Sequence, residues 1–169
     1  MRPMYDGASS PIIRVSEAIW PDDQAVAAAL VQTYASSIQQ PLCFPGLSAE
    51  LSDLSSTYPN PACGFFLAWV DGVAAGCCGF RALHDVDHAN ACEMKRLFVS
   101  PTFRRLGLGH RLVEAVMEAA RVAGYGVMLL DTLTEMEAAR TLYEEMGFVP
   151  IPPYTQSPIL GAHHLMAEL

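Results

Sequence analysis

The chain has 169 residues, of which 51% are hydrophobic and 17% are charged, and its formal net charge is −8. This composition excludes an intrinsically disordered chain, and the length predicts a single domain that spans residues 1–169. The acidic balance argues against nucleic acid as a partner, because phosphate backbones are bound by clustered cations. No segment reaches the roughly 18 consecutive apolar residues of a membrane-spanning helix, so no membrane partner is expected.

The N-terminal residues and the cysteines indicate the cellular compartment. The first segment, MRPMYDGASSPIIRV, lacks the apolar core of a signal peptide, which predicts a cytoplasmic protein. The cysteines are odd in number and none forms a C-x-x-C pair, so buried reduced thiols are expected rather than disulfides. They are Cys43, Cys63, Cys77, Cys78 and Cys92.

The first half of the chain predicts a strand, a helix and a hairpin in that order. Residues 11–19 have the composition of a strand, and residues 20–38 carry an apolar stripe at helical spacing. A short helix over residues 48–58 follows. An Asp-Gly pair between two apolar runs then predicts a hairpin over residues 65–83.

The second half alternates strands with amphipathic helices. The predicted elements are a strand over residues 92–99, a long helix ended by Gly124, a strand over 126–132, a helix over 135–146 and final strands over 148–153 and 163–169. The long helix is expected to bury Leu112, Val113, Val116, Ala119, Ala120 and Ala123. Together these elements predict an α/β fold around a central mixed sheet.

The stretch RRLGLG, residues 104–109, connects the strand to the long helix with two arginines and two glycines. Glycine amides at a helix N-terminus can converge on a phosphate, and Arg104 and Arg105 would add charge-assisted hydrogen bonds. A tight structural turn explains the same residues equally well. The spacing is neither G-x-x-x-x-G-K-[ST] nor G-x-G-x-x-G, because Leu112 stands where the third glycine would be. The residues alone leave a turn and a phosphate site open, and they exclude the common nucleotide loops.

Two motifs in this half of the chain resemble the GNAT N-acetyltransferase superfamily. The first is R-x-x-G-x-G, residues 104–109, after a strand that ends in Phe98-Val99. The second is A-x-x-x-Y-x-x-x-G-F, within the segment AARTLYEEMGF, residues 138–148. The resemblance implies a single-domain α/β fold with a mixed, mostly antiparallel sheet of about 6–7 strands and helices on both faces. It also implies acetyl-CoA as cosubstrate, held in a split between the two middle strands, and no metal.

The resemblance further implies which residues hold coenzyme A. The end of the strand would line the pantetheine arm, and the loop amides would bind the pyrophosphate. The implied residues are Leu97, Phe98, Val99, Arg104, Arg105, Leu106, Gly107, Leu108, Gly109, His110, Thr132 and Ala139. One position departs from the family pattern, since Met136 stands where many members carry an asparagine that contacts pantetheine. Asp131 and Thr132 are polar candidates to compensate for it.

Tyr143 and Glu93 are the candidate catalytic residues. Acetyl transfer to an amine needs a proton acceptor for the amine and a proton donor for the leaving thiolate. The resemblance implies that the Tyr143 phenol is the donor, whereas its helical spacing alone favours a core tyrosine. Glu93 matches the general base of histone-acetylating members of the family. A structural ion pair of Glu93 with Lys95 or Arg96, with deprotonation through water, is an equally open interpretation.

The motifs do not identify the acceptor of the acetyl group. The segment FPGLSAELSDL, residues 44–54, lies where the family builds its acceptor-binding wall, and Glu50 and Asp53 are placed to attract an ammonium group or to form a solvated helix face. We predict an N-acetyltransferase that moves an acetyl group directly to a primary amine of a small molecule or peptide. The alternative is a non-catalytic acyl-CoA-binding or sensing module. The oligomeric state is left open, with a homodimer included.

Overall fold

The computed structural model describes residues 9–38, 44–155 and 159–169. The strands are β1 (Ile13–Glu17), β2 (Gly64–Val70), β3 (Val73–Ala82), β4 (Ala91–Val99), β5 (Val127–Leu133), β6 (Val149–Pro150) and β7 (Ala162–Glu168). The helices are α1 (Gln24–Ser37), α2 (Leu47–Ser52), α3 (Leu54–Thr57), α4 (Leu108–Val122) and α5 (Glu137–Glu145), with one 3₁₀ turn over Pro101–Phe103.

The strands form one seven-stranded sheet in the order β1-β2-β3-β4-β5-β7-β6. Within the described chain β4 and β5 run parallel, and the other neighbouring strands pair antiparallel. This confirms the predicted mixed and mostly antiparallel sheet. The parallel pair is short, because Ala91–Glu93 of β4 pair with Val127–Leu129 of β5 and the two strands then separate. The separation opens the middle of the sheet.

Each face of the sheet carries its own apolar core. Helices α4 and α5 cover one face, where Leu112, Val116 and Tyr143 pack against buried residues of the strands. Helices α1 and α3 cover the other face through residues that include Val31 and Leu54. These two cores hold the sheet between helical layers, as the predicted architecture requires.

Two expectations about the helices are wrong in detail. The predicted helix over residues 48–58 is broken at Asp53, whose carboxylate accepts a hydrogen bond from the backbone N–H of Ser56 and starts α3. A short acidic side chain competes for backbone amides in this way and favours a helix start over a helix interior. Ala123 is exposed rather than buried, because α4 ends at Val122 and Gly124 turns the chain with φ 98°.

Turn geometry confirms the predicted hairpin and adds a bulge that the sequence did not predict. Asp71 and Gly72 join β2 to β3 with φ values of 48° and 80°, as a tight two-residue hairpin turn requires. In β4 the register with β3 shifts between Lys95 and Phe98, and Arg96 there has a φ of 62°. The extra residue bends β4 away from β5 at the point where the two strands separate.

The cysteine prediction is confirmed for the residues that the structure describes. Four free thiols are buried, those of Cys63, Cys77, Cys78 and Cys92, while Cys43 lies outside the described residues. Burial raises the pKa of the Cys92 thiol to about 12. Among residues 9–38, 44–155 and 159–169, no helix is long and apolar enough to cross a membrane, and no group of three or more metal-ligating side chains occurs.

Candidate active site

A small cavity of about 60 Å³, which we call the chamber, lies where β4 and β5 separate. Residues 94–97 of β4 form one wall and residues 130–133 of β5 form the other. Tyr143 and Met136 line it from the α5 side, and Tyr34 of α1 lines it from the opposite face of the sheet. The chamber is therefore reached by side chains from both helical layers.

Tyr143 lies in the chamber and in the core at the same time. Its side chain is 6% exposed, and its ring packs edge-on against Phe148 with the ring centroids 5.7 Å apart. Burial raises the pKa of the Tyr143 phenol well above its ordinary value, so the hydroxyl keeps its proton throughout the physiological range. The two interpretations of this residue are compatible, since the same burial that packs the ring keeps the phenol protonated.

A larger cleft of about 1000 Å³ shares several walls with the chamber, and we call it the cleft. It runs from Leu97 along the end of β4 to the first turn of α4, and α5 closes its other side. Of the residues implied to hold coenzyme A, those lining the cleft are Leu97, Phe98, Val99, Arg104, Arg105, Gly107, Leu108, Gly109, His110 and Ala139.

Two of the implied residues are not among those lining the cleft. Leu106 is 37% exposed and lies in the loop between Arg105 and Gly107, both of which line the cleft. Thr132 lines the chamber instead, where its hydroxyl lies 3.5 Å from the sulfur of Met136. Thr132 thus contacts the residue that departs from the family pattern, and its hydroxyl is engaged within the protein.

The loop before α4 has the geometry of an anion site. Arg105 and Gly107 have φ values of 65° and 75°, and alternating left-handed residues turn successive backbone N–H groups to one side. The N–H groups of residues 105–110 donate to no acceptor within the described chain. A side chain at Gly107 would meet nothing within 4 Å, so this approach to the amides is open. The cleft volume, the free amides and the exposed arginines fit a diphosphate-bearing ligand such as coenzyme A.

Glu93 is buried, with 4% of its surface exposed, and it sits in a network of charged and polar groups. Its Oε2 accepts a hydrogen bond of 2.8 Å from the hydroxyl of Tyr154, and its Oε1 lies 3.2 Å from the Lys95 ammonium and 3.6 Å from the Arg81 guanidinium. The ion pair with Lys95 was among the interpretations of the sequence, whereas Arg81 and Tyr154 were missed. Glu93 lines neither the chamber nor the cleft as the structure describes them.

Arg96 pairs with Glu50 rather than with Glu93. The Arg96 guanidinium donates two hydrogen bonds to the Glu50 carboxylate, and the Tyr58 hydroxyl donates a third of 3.0 Å. Burial would raise the pKa of Glu50, but these hydrogen bonds and the charge of Arg96 outweigh it, and the pKa is lowered. The Arg96 side chain also lies over the ring of Phe44, 4.9 Å from its centroid. Helix α2 is thereby tied to the bulge of β4.

No local pattern in the sequence predicts these long-range pairs. Glu50 and Arg96 are 46 residues apart, and Glu93 and Tyr154 are 61 residues apart. Asp131, which the sequence offered with Thr132 as a polar candidate to compensate for Met136, lines the chamber from β5. Its position at the end of a predicted buried strand was the available signal, because polar residues at strand ends commonly serve a binding site.

Residues 29–148 match the family described as the Acetyltransferase (GNAT) family. An uncharacterized N-acetyltransferase of Schizosaccharomyces pombe is 34% identical over 159 residues, which are 93% of this chain and 95% of that protein. The N-acetylaspartate synthetase of Homo sapiens is 35% identical over 104 residues, which are 60% of this chain and 33% of that protein.

Solved structures share the fold. A GNAT acetyltransferase of Staphylococcus aureus superposes with a TM-score of 0.74 at 18% identity, covering 93% of this chain and 99% of that one. The PaiA N-acetyltransferase of Thermoplasma acidophilum, solved in complex with coenzyme A, gives a TM-score of 0.69 at 15% identity, covering 94% of this chain and 99% of that one. The family match spans both sequence motifs, the cleft loop and Tyr143. The chain therefore belongs to the GNAT acetyltransferase family and is an acyltransferase.

Proposed function

We propose that this protein transfers an acetyl group from acetyl-CoA directly to a primary amine of a small molecule or peptide. The observation that supports this most is the position of Tyr143, which lines the chamber while the adjoining cleft ends at a loop of free amides. A ligand with a diphosphate at one end and a reactive thioester at the other would place the diphosphate at the loop of the cleft and the thioester at the adjoining chamber.

The donor side of the proposal rests on the edge of β4 and the loop before α4. Beyond Glu93 the β5-facing edge of β4 has no strand partner within the described chain, so its backbone groups are available to the amides of a pantetheine arm. The free amides of residues 105–110, with Arg104 and Arg105, would hold the pyrophosphate. Acetyl-CoA would supply the acetyl group as an activated thioester.

Tyr143 would donate the proton that the departing sulfur needs. Its phenol is neutral at physiological pH even at the ordinary tyrosine pKa, and burial raises that pKa further. It lies in the chamber that the thioester end would enter. Glu93 is the proposed proton acceptor for the amine. Because its carboxylate does not line the chamber, the proton would reach it through water.

The acceptor is a primary amine in this proposal, and the relatives do not narrow it to one compound. The name of the human relative points to an amino-acid substrate for that protein, and its match covers 60% of this chain. A small amine is consistent with that name and with the small volume of the chamber, about 60 Å³.

The test is an acetyl-CoA assay with a broad panel of amines, in which CoA release and the mass of the acetylated product are both measured. We expect release that depends on the amine, and we expect Gly107→Glu to abolish binding of CoA in calorimetry. The added carboxylate would stand among the amides that are proposed to hold the pyrophosphate.

Gly124→Glu is the matched control, because Gly124 also has a positive φ and open space but lies at the far end of α4. It should fold with a similar strain and keep CoA binding. Retained binding in Gly107→Glu would refute the phosphate loop. Binding of acetyl-CoA without CoA release for any amine would refute acetyl transfer and favour a sensing module.

A further inference from the structure

A third cavity lies beside the chamber, on the side of helices α2 and α3. It encloses about 360 Å³ and is lined by residues of α2, α3, β3 and β4. Lys95 and Arg96 line both this cavity and the chamber. A molecule that fills this cavity therefore lies next to the position where the amine would react, and we call it the acceptor cavity.

The anionic side chains of the acceptor cavity are already engaged within the protein. Both oxygens of Glu50 accept hydrogen bonds from Arg96, and one also accepts from Tyr58. The oxygens of Asp53 accept hydrogen bonds from Ser55 and Ser56 at the start of α3. Glu50 is buried in an ion pair with Arg96, whereas Asp53 is exposed at the start of α3. The two interpretations of these carboxylates, an ammonium site and a solvated helix face, both stay predictions.

The cationic side chains, in contrast, keep unused hydrogen-bonding capacity. Arg81 and Lys95 share a single oxygen of Glu93, at 3.6 Å and 3.2 Å. The other oxygen of Glu93 is taken by Tyr154. Each of the two cations carries several N–H donors, and neither donates a hydrogen bond to another group within the described chain. Arg81 and Lys95 therefore bring two positive charges with unused N–H donors to one wall of the cavity, beside the single buried carboxylate of Glu93.

Cationic side chains are concentrated at the acceptor cavity. The chain has a formal net charge of −8 and only ten arginines and lysines. Three of those cations, Arg81, Lys95 and Arg96, line this one cavity together with the carboxylates of Glu50 and Asp53, and Arg96 is paired with Glu50. The Arg81 and Lys95 side chains are 43% and 20% exposed, so they reach the space of the cavity instead of being sealed in the core.

We infer that the acceptor is an amine that also carries a carboxylate, as amino acids do, and that Arg81 and Lys95 bind that carboxylate in the acceptor cavity. The inference rests on the proposed function and names its substrate class. Guanidinium and ammonium groups bind carboxylates through charge-assisted hydrogen bonds, which are stronger than neutral ones. Lys95 and Arg96 line both the acceptor cavity and the chamber. A molecule whose carboxylate is bound in the acceptor cavity would therefore direct its amine towards the chamber.

The test compares kcat/KM for a set of amino acids, β-alanine included, with kcat/KM for the amines that lack only the carboxylate. We expect kcat/KM to be about 10-fold higher or more for the carboxylate-bearing member of each pair, as hydrogen bonds to charged groups predict. Phosphoethanolamine is assayed beside β-alanine to separate a carboxylate from a phosphate.

Arg81→Gln should lower the ratio of the two kcat/KM values by about 10-fold. The ratio is the informative quantity, because a purely structural defect would lower both values together. Arg81→Lys should restore much of the ratio, since it keeps the charge. Arg121→Gln is the control arginine, since Arg121 lies on α4 and pairs with Glu118, and it should leave the ratio unchanged.

The outcomes separate this inference from the proposed function. If no amine of either kind releases CoA, the proposed function fails. If amines without a carboxylate react as well as their partners, or if Arg81→Gln leaves the ratio unchanged, the inference fails while acetyl transfer stands. A preference for phosphoethanolamine over β-alanine overturns the carboxylate assignment.

Discussion

At the scale of single residues, burial decides what Tyr143 can do. Its phenol is enclosed by the core formed with α4 and α5, and desolvation keeps it protonated because the charged form would lose its hydration. A proton donor of this kind is useful only while it holds its proton. The raised pKa therefore keeps on the phenol the proton that the proposed donation to the leaving thiolate needs.

Tyr143→Phe tests this role with little change in packing. We expect kcat to fall by about 100-fold, since general acid catalysis contributes on that order. The KM for acetyl-CoA should change little, because the interaction would be made mainly in the transition state. Steady-state kinetics with CoA detection provides the measurement.

Tyr125→Phe is the control for that experiment. Its hydroxyl donates to the backbone carbonyl of Ala62, away from the chamber, so kcat should be unchanged. If Tyr143→Phe instead loses acetyl-CoA affinity at constant kcat, the tyrosine is a structural residue and the assignment is wrong. In the native enzyme, ionisation of Tyr143 should cause no loss of kcat at physiological pH, because burial raises its pKa.

At the scale of elements, the pair of Glu50 and Arg96 joins the acceptor side of the molecule to the bulge of β4. Arg96 has a φ of 62°, a conformation that side chains rarely adopt, and its guanidinium is held by Glu50 and the ring of Phe44. Helix α2 thus supports the strand segment that borders both the chamber and the acceptor cavity.

Glu50→Gln should destabilise the protein by about 3 kcal/mol at pH 7, because it leaves a buried guanidinium without its counter-charge. The folded-state pKa of Glu50 is lowered, so its stabilising contribution is present above its unfolded pKa and is lost as pH falls through the folded pKa. The difference in the free energy of unfolding between the variant and the native protein should therefore shrink below about pH 4. Urea unfolding at several pH values measures it.

Glu118→Gln is the matched control, because Glu118 forms an exposed ion pair with Arg121 on α4. Such pairs contribute about 0–1 kcal/mol, so this variant should stay close to the native stability at every pH. Equal losses for the two variants would show that the Glu50 pair has no special role.

At the scale of the whole molecule, the sheet unites the cores on its two faces. Adjacent residues of one strand face different cores, as Cys77 and Cys78 of β3 do. A strand cannot leave one core without disturbing the other. This arrangement supports the prediction that residues 1–169 form one domain.

A single domain should unfold in one cooperative transition. Trp20 and Trp69 pack against the core on the side of α1 and α3, so tryptophan fluorescence reports on that face. Far-UV circular dichroism reports on all helices and strands. We expect the thermal unfolding transitions followed by fluorescence and by circular dichroism to coincide. Saturating acetyl-CoA should shift both to higher temperature together. Separate transitions would contradict a single domain.

Much of the fold could be predicted from the sequence because its signals are local. The apolar stripes of α4 and α5, the Asp-Gly turn between β2 and β3, and the glycines before α4 each act within a few residues. The loop that borders the cleft and the tyrosine of the chamber lie inside two compact motifs. Their positions therefore followed from spacing together with the family resemblance.

The partners of the charged residues depended on the tertiary structure. Local sequence offered Lys95 and Arg96 as partners for Glu93, but the bulge turns Arg96 towards Glu50, and Tyr154 arrives from a segment 61 residues away. The hydrogen-bonding partners of the side chains in the acceptor cavity depended on the tertiary structure for the same reason, because they follow from which donors and acceptors the folded chain pairs. Local periodicity predicted the helices and strands, and the glycine spacing together with the family resemblance predicted the donor side, whereas long-range packing alone decided which charged groups are paired within the folded chain.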